Sequence, residues 1–291
     1  MSRSLRLSAV VAAVVLVLSG TSVAQAAAPV ARIDTPTTQS GLAVGVPVLV
    51  TGITTYGDTT PPTGTELTFD DGATWIEPTP VQWYGHLYFW TYLWTPTEAG
   101  TATIAVRPVT ATGPGAVSGT SVVHVGGETV PQPLNCSIRC EMHTPYAYGV
   151  DDIDVLPVEV GVRFLVDRPG VILGASTLRG DYRGTLLVRL WSDGVLLAEQ
   201  AYDHPGRMVE ADFATPVPVE PGREYVASFY SPQGGYTVSE NFFTGTVVAA
   251  PFIVPHDGVR GAGVYHYGDG GGFPTDTYHD SHYWVLPEFR G

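Results

Sequence analysis

Glycine and proline interrupt this chain so often that long helices have little room to form. The 291 residues include 34 Gly and 24 Pro, two residue types that break helices and mark turns. The intervals between them are short and rich in Val, Thr, Tyr, Phe and Trp, which suit half-buried strands. No interval beyond the first residues shows the apolar periodicity of an amphipathic helix. The sequence therefore predicts an all-β protein.

The first residues have the three parts of a secretory signal. Arg3 and Arg6 precede an almost wholly apolar run from Leu7 to Leu18, and Ala24-Gln25-Ala26 supplies the small residues that signal peptidase accepts. We therefore expect residues 1–28 to be a signal peptide and the mature chain to be secreted. No later apolar run approaches the roughly 20 residues that a membrane-spanning helix needs, so we expect no transmembrane segment.

Charge narrows the range of expected partners. The chain has 28 acidic residues against 14 Lys and Arg, for a formal net charge of -14 at pH 7, and all 14 are arginine. Such a field repels phosphate polyanions, so we expect no nucleic-acid partner and no binding to anionic membranes. Abundant Arg, Ala, Gly and Pro without any Lys indicates a GC-rich bacterial gene.

Residues 29–126 have the pattern of a single module of about seven short strands. Asp70-Asp71-Gly72 predicts a hairpin turn, with Trp75 on the returning strand. In the aromatic run that follows, one face of the strand carries Tyr88, Trp90, Tyr92 and Trp94. Short strands separated by turns over this length predict an Ig-like β-sandwich.

Three motifs in this module resemble those of bacterial Ig-like modules. They are Phe69-Asp70-Asp71-Gly72-Ala73-Thr74-Trp75, Trp94-Thr95-Pro96 and Gly100-Thr101-Ala102-Thr103-Ile104. The resemblance implies a spacer, a dimerisation domain or a surface for protein contacts beside other secreted modules.

A short linker, residues 127–135, leads to a second module over residues 136–291. Val171, Leu173 and Ala175 alternate as in a strand, and Ser192-Asp193-Gly194 predicts a second hairpin turn. Nine or ten such strands exceed the number in an Ig domain and predict a jelly-roll-like β-sandwich.

The second module also resembles a known family. The resemblance rests on three segments, Glu159 to Ala198, Phe213 to Tyr236 and Gly263 to Val285. They are similar to a bacterial domain of unknown function that often follows Ig-like modules in exported proteins. The resemblance implies no particular activity.

The two cysteines, Cys136 and Cys140, predict a disulfide, because an exported chain with an even number of cysteines usually pairs them. Zinc bound by these thiolates and His143 is the alternative. Asp151, Asp152 and Asp154 are candidate ligands for a structural calcium ion, since hard cations prefer carboxylate oxygens. A solvated acidic loop is the alternative for that cluster, and we expect no other cofactor.

The stretch from Tyr265 to Trp284 combines aromatic, histidine and aspartate side chains. Aromatic rings stack on sugar rings while polar groups bond the sugar hydroxyls, so we expect a ligand-binding surface here. Glycines beside it predict a mobile loop. The alternative is that the rings fill the core. The candidate ligand-binding residues are Tyr265, Tyr267, Asp276, Tyr278, His282 and Trp284.

No nucleophile or phosphate-binding motif accompanies these residues, since the chain lacks both G-x-S-x-G and a P-loop. We therefore predict no catalytic residues and a non-catalytic binding or adhesion function, with a glycan or another cell-envelope component as partner. Two alternatives stay open. One is an extracellular hydrolase that uses Asp276, Asp280 and the histidines, and the other is a purely structural spacer.

Overall fold

The computed structural model describes most of the two predicted modules. The described residues are 28–38, 40–57, 61–127, 136–142 and 149–291, with the backbone alone described at 82–84. The predicted signal peptide up to residue 27 and the predicted linker after Gly127 lie outside these ranges. Among the described residues every regular element is a strand, and no helix there has the length and apolar character needed to cross a membrane.

The N-terminal part folds into two facing sheets. One sheet has the strand order β1-β3-β6-β5, and the other has the order β2-β9-β7-β4 with β8 paired to β7. This is the arrangement of an Ig-like sandwich. The strands are β1 (Val30–Thr35), β2 (Gly41–Leu42), β3 (Val48–Thr55), β4 (Gly64–Thr68), β5 (Thr79–Tyr84), β6 (Leu87–Trp94), β7 (Gly100–Thr110), β8 (Gly113–Pro114) and β9 (Gly119–Val125).

The alternation predicted for β6 is confirmed. Tyr88 and Trp90 are buried between the two sheets, and Tyr92 and Trp94 pack against the same core. The prediction of a strand at Trp75 is wrong. The turn forms, with Gly72 at a φ of 88°, but the returning chain makes only one bridge to β4, from Ile76. Trp75 leaves the sheet because its ring packs under the Arg107 guanidinium, 3.7 Å from ring centroid to carbon.

The C-terminal part is a second, larger sandwich. One sheet has the order β10-β22-β13-β16, and the other has the order β15-β14-β17-β12-β20-β19 with β21 also paired to β12. The two long sheets are those of a jelly-roll-like fold. The strands are β10 (Cys140–Glu141), β11 (Val150–Asp151), β12 (Val158–Val166), β13 (Gly170–Leu178), β14 (Leu186–Ser192), β15 (Val195–Tyr202), β16 (Met208–Val219), β17 (Tyr225–Ser231), β18 (Thr237–Val238), β19 (Val247–Ala249), β20 (Phe252–Val254), β21 (Gly263–Tyr267) and β22 (Val285–Arg290).

A β-bulge changes the predicted inward face of β13. Ile172 and Ala175 lie in the core of this sandwich, whereas Val171 and Leu173 do not. The pairing register shifts between Ile172 and Gly174. After this point the alternation of inward and outward side chains is displaced by one residue. Gly174 permits the close approach, because a Cβ there would lie 2.0 Å from a backbone oxygen of β16. The simple alternation predicted for this strand is therefore wrong.

The two sandwiches are in contact where β19 lies against the start of β3. The Leu49 N–H donates to the Thr246 carbonyl at 2.8 Å, and the Thr246 N–H donates to the Pro47 carbonyl at 3.2 Å. Leu49 is buried in the C-terminal core and Val248 in the N-terminal core. Each core thus receives a side chain from the other sandwich.

The predicted disulfide between Cys136 and Cys140 is confirmed, which excludes the alternative of zinc held by free thiolates. His143 lies outside the described residues. The disulfide loop carries Arg139, which forms an ion pair with the buried Glu288. Burial raises the pKa of the Glu288 carboxyl to about 7, although the Arg139 charge acts in the opposite direction.

Candidate tyrosine cavity

An open cavity of about 550 Å³ lies on the C-terminal sandwich, and we call it the tyrosine cavity. Its aromatic wall is formed by Tyr236, Tyr265, Tyr267, Tyr278 and Tyr283. Three carboxylates, from Asp152, Asp154 and Glu240, and two aliphatic side chains, from Leu156 and Val238, complete the lining.

Strand β21 positions the centre of the aromatic wall. Tyr265 and Tyr267 are two residues apart, so their side chains leave the same face of the strand, and their ring centroids are 5.5 Å apart in an edge-to-face arrangement. Tyr283 approaches Tyr265 at 6.5 Å and Tyr236 at 5.6 Å. The rings therefore support one another in orientations that aromatic pairs prefer.

The acidic side of the cavity is a turn stabilised by its own carboxylates. Asp152 accepts a hydrogen bond from the Asp154 N–H at 2.8 Å, and Asp154 accepts one from the Leu156 N–H at 2.9 Å. The second oxygen of Asp154 accepts a hydrogen bond from the Tyr267 hydroxyl. This last bond joins the acidic turn to β21, 113 residues away in sequence.

Three of the tyrosine hydroxyls that line the cavity have raised pKa values and are neutral at physiological pH. Burial raises the pKa of Tyr267 to about 12, helped by its hydrogen bond to Asp154. Burial also raises the pKa of Tyr236 and that of Tyr283. A neutral phenol both donates and accepts hydrogen bonds, so these groups can pair with the hydroxyls of a polar ligand.

The structure brings together three of the six predicted ligand-binding residues. Tyr265, Tyr267 and Tyr278 line the cavity, and the latter two are 43% and 48% exposed. Asp276 does not line it; its backbone pairs with that of Tyr265 and its side chain points to solvent. The binding role of all of these residues remains a prediction.

The other two predicted residues, His282 and Trp284, are buried outside the cavity lining. Their rings lie 4.8 Å apart and pack with Phe242. Burial lowers the pKa of the His282 imidazole to about 3. We expected one of Tyr283 and Trp284 to face a ligand or solvent and the other the core. Both are buried instead, because Trp284 adopts a φ of 57° and β22 begins only after it.

Strand β11 brings Asp151 into an ion pair, away from the two other aspartates of the predicted calcium site. Its carboxylate binds the Arg207 guanidinium through two contacts of 2.6 Å, and Arg207 lowers the pKa of Asp151. Among the described residues no group of three or more His, Cys, Asp or Glu side chains is arranged to hold a metal ion. Calcium binding remains a prediction that these contacts do not support.

The glycine-rich loop after β21 is fastened to a buried ion pair. The Arg189 guanidinium pairs with Glu159 and donates to the Gly270 carbonyl at 3.0 Å. The Gly270 N–H in turn donates to the Tyr230 hydroxyl at 2.9 Å. Gly271 has a φ of +73°, and a Cβ there would lie 2.2 Å from the Glu159 carboxylate. Here glycine allows close packing, and the mobility of the loop remains a prediction.

A second, smaller cavity lies on the N-terminal sandwich. It has a volume of about 390 Å³ and is lined in part by Phe69, Trp94 and Glu98. The rings of Phe69 and Trp94 are stacked with their centroids 4.8 Å apart. This cavity provides an internal comparison for any ligand assigned to the tyrosine cavity.

Three of the ten residues that line the cavity, Tyr265, Tyr267 and Tyr278, are predicted ligand-binding residues. Tyr236, Val238 and Glu240 reach it through the two-residue strand β18, which pairs with β11 beside Asp152. A strand of two residues is too short to show the alternation of buried and exposed side chains by which strands are predicted from sequence. The tyrosine and the acidic residues of these segments are apparent in the sequence. No local pattern predicts that they lie beside β21.

Comparison with solved structures finds β-sandwich modules at low similarity. The fibronectin(III)-like modules of Clostridium thermocellum CbhA are 21% identical, with 33% of this chain and 93% of that chain covered and a TM-score of 0.26. Carbohydrate-binding modules of the β-sandwich superfamily are 10% identical, with 72% and 93% covered and a TM-score of 0.23. Bacteroides ovatus SGBP-B, solved with a mixed-linkage heptasaccharide, is 11% identical, with 66% and 51% covered and a TM-score of 0.22.

No curated protein matches the chain. Residues 144–285, which include β11 through β21 and the whole lining of the tyrosine cavity, match the family described as a domain of unknown function (DUF4082).

Proposed function

We propose that this protein is an exported, non-catalytic glycan-binding protein and that its ligand occupies the tyrosine cavity. The observation that carries the proposal is the convergence of five tyrosines and three carboxylates on one open cavity. Tyrosine rings pack against the apolar face of a sugar ring, while phenols and carboxylates bond its hydroxyls. The volume of about 550 Å³ falls within the roughly 300–1,000 Å³ typical of small-molecule sites.

The cavity wall is held in place without a ligand. Tyr267 is fixed by its hydrogen bond to Asp154, and Tyr265 packs edge-to-face against both Tyr267 and Tyr283. A ligand that enters such a site does not have to order these side chains, so less of the interaction energy is lost to conformational entropy.

The experiment is a glycan-array screen of residues 29–291, followed by titration of the strongest ligand. Tyr278→Ala should weaken binding at least several-fold, because the ring is 48% exposed and stacks on the exposed His279. Because the Tyr278 ring is this exposed, its removal should leave the fold intact. Tyr265→Ala should weaken binding similarly. Trp94→Ala, in the second cavity, is the matched control and should leave the affinity unchanged. If Trp94→Ala alone loses binding, the binding site lies on the N-terminal sandwich instead.

The hydrolase and spacer alternatives are tested with the same samples. Asp276 and Asp280, which the hydrolase alternative uses, do not line the tyrosine cavity, and Asp280 lies 3.8 Å from His256. Release of reducing ends from a bound glycan would contradict the non-catalytic assignment. Failure of every glycan to bind the folded protein would favour the spacer.

Export is part of the proposal. It is supported by the signal-like first residues and by the Cys136–Cys140 disulfide, since disulfides persist in oxidising compartments outside the cytosol. Mass spectrometry of the culture medium should find an N-terminus between Ala26 and Pro29. A mature species that still begins at Met1 or Ser2 would contradict export by this signal.

A further inference from the structure

The wall of the tyrosine cavity carries negative charge that no lining residue neutralises. Its ionised groups are the carboxylates of Asp152, Asp154 and Glu240, and no arginine or histidine is part of the lining. The chain has no lysine. The tyrosine hydroxyls add no positive charge.

The neighbouring basic groups do not remove this charge. Two arginines lie near the acidic turn. Arg207 is bound to Asp151 by two contacts of 2.6 Å, and Arg183, which also acts on the pKa of Asp151, donates to the Gly180 and Tyr182 carbonyls. His279 lies 3.1 Å from Glu240 at an exposed edge, so a charge on this imidazole would offset Glu240 but would leave Asp152 and Asp154 without a countercharge. In the described part of the chain, neither Asp152 nor Asp154 has an arginine or histidine within ion-pair distance.

The same wall offers aromatic faces to a cation. An ammonium group held within about 6 Å of a tyrosine ring is attracted by the negative face of the ring. Tyr267 and Tyr278 expose their rings to the cavity, and the carboxylate of Asp154 is hydrogen-bonded to the Tyr267 hydroxyl. Carboxylates form their strongest hydrogen bonds with ionised donors. The cavity thus combines both kinds of group that recognise an amine.

We infer that the glycan bound in the tyrosine cavity carries a free amino group, as in a glucosamine oligomer that is not N-acetylated. The inference rests on the proposed function, because it takes a sugar in this cavity as given and adds the chemistry of its substituent. An acidic glycan would be repelled by the three carboxylates. A neutral glycan would gain the aromatic contacts but would leave the charge uncompensated.

The test compares three β-linked oligomers of equal length that differ only at the second carbon of each sugar. These are glucose, N-acetylglucosamine and glucosamine oligomers, titrated calorimetrically below the pKa of the free amine. The glucosamine oligomer should bind roughly tenfold tighter or more than the other two, and added salt should weaken only that oligomer. Asp152→Asn should reduce its affinity several-fold more than it reduces the affinity of the neutral oligomers, because the variant removes the charge but keeps a side chain that can bond a sugar hydroxyl.

The control addresses the overall negative charge, which attracts any polycation. Glu220→Gln removes one exposed carboxylate outside the cavity lining and should leave all three affinities unchanged. An equal loss in Glu220→Gln and Asp152→Asn would overturn the inference. Equal binding of the three oligomers, sensitive to Tyr278→Ala, would also overturn it while the proposed function stands. If no glycan on the array binds, both the inference and the proposed function are overturned.

Discussion

The buried pair of Glu159 and Arg189 gives the most demanding stability prediction. Glu159 is fully buried and Arg189 is 7% exposed. In Arg189→Met the Glu159 carboxylate would keep its hydrogen bond from Ser228, at 2.6 Å, but would lose its countercharge. The Gly270 carbonyl would lose its donor as well. Removing one partner of a buried ion pair costs about 3–5 kcal/mol, and we expect a loss of about 4 kcal/mol in the free energy of unfolding.

The loss in the free energy of unfolding should depend on pH, and the pKa of Glu159 determines the direction of this dependence. Burial already raises the pKa of Glu159, against the opposing effects of Ser228 and Arg189. Without Arg189 the pKa of the folded state rises further above the unfolded value. A raised folded pKa makes the folded state less stable as the pH increases through the interval between the two values. The deficit of Arg189→Met should therefore be largest at neutral pH and smaller in mild acid.

Urea unfolding of the mature chain, followed by fluorescence and circular dichroism, measures this loss. Arg207→Met is the matched control, because it breaks the more exposed pair with Asp151, and such pairs contribute about 1 kcal/mol or less. Arg189→Met combined with Glu159→Gln should recover part of the loss by removing the uncompensated charge. A cost no larger than that of Arg207→Met, or one that does not vary with pH, would refute this reasoning.

Three further predictions concern titration and cross-linking. Burial lowers the pKa of His282 to about 3 from an ordinary 6.5, so the folded state should lose stability as the pH falls through that interval, and His282→Gln should remove this loss. Burial raises the pKa of Glu288 to about 7 from an ordinary 4.5, so this carboxyl should have the opposite effect. Stability should rise as the pH falls from 7 towards 4.5, and Glu288→Gln should abolish the rise; unchanged pH profiles of unfolding in either variant would contradict these assignments. Thiol labelling of the native protein should find neither Cys136 nor Cys140 free, and reduction should cost less than the roughly 3 kcal/mol of a 15-residue loop in the same unfolding assay.

Much of the fold follows from local patterns in the sequence. The alternation of Tyr88, Trp90, Tyr92 and Trp94 predicted strand β6, which the structure places at Leu87–Trp94. The hairpin at Ser192-Asp193-Gly194 formed because Asp193 and Gly194 adopt the positive φ values that such turns need. Patterns of this kind depend only on residues that are close in sequence.

The errors arose where tertiary contacts override the alternation. The bulge in β13 depends on the close approach of β16 to Gly174, and the backbone of Trp284 turns before β22 begins. The site itself was predicted only in part. Its tyrosines on β21 were visible as a dense aromatic segment, but the pairing of β11 with β18 that brings Asp152 and Tyr236 to them is a contact of two-residue strands.

The central claim is that the tyrosine cavity is where the ligand binds, and hydroxyl-radical footprinting with mass spectrometry tests it most directly. Tyr267 and Tyr278 are exposed in the cavity wall and should be oxidised readily in the free protein. A saturating glycan ligand should protect both and leave the oxidation of Trp94, in the second cavity, unchanged. Protection of Trp94 with no change at the two tyrosines would contradict the claim.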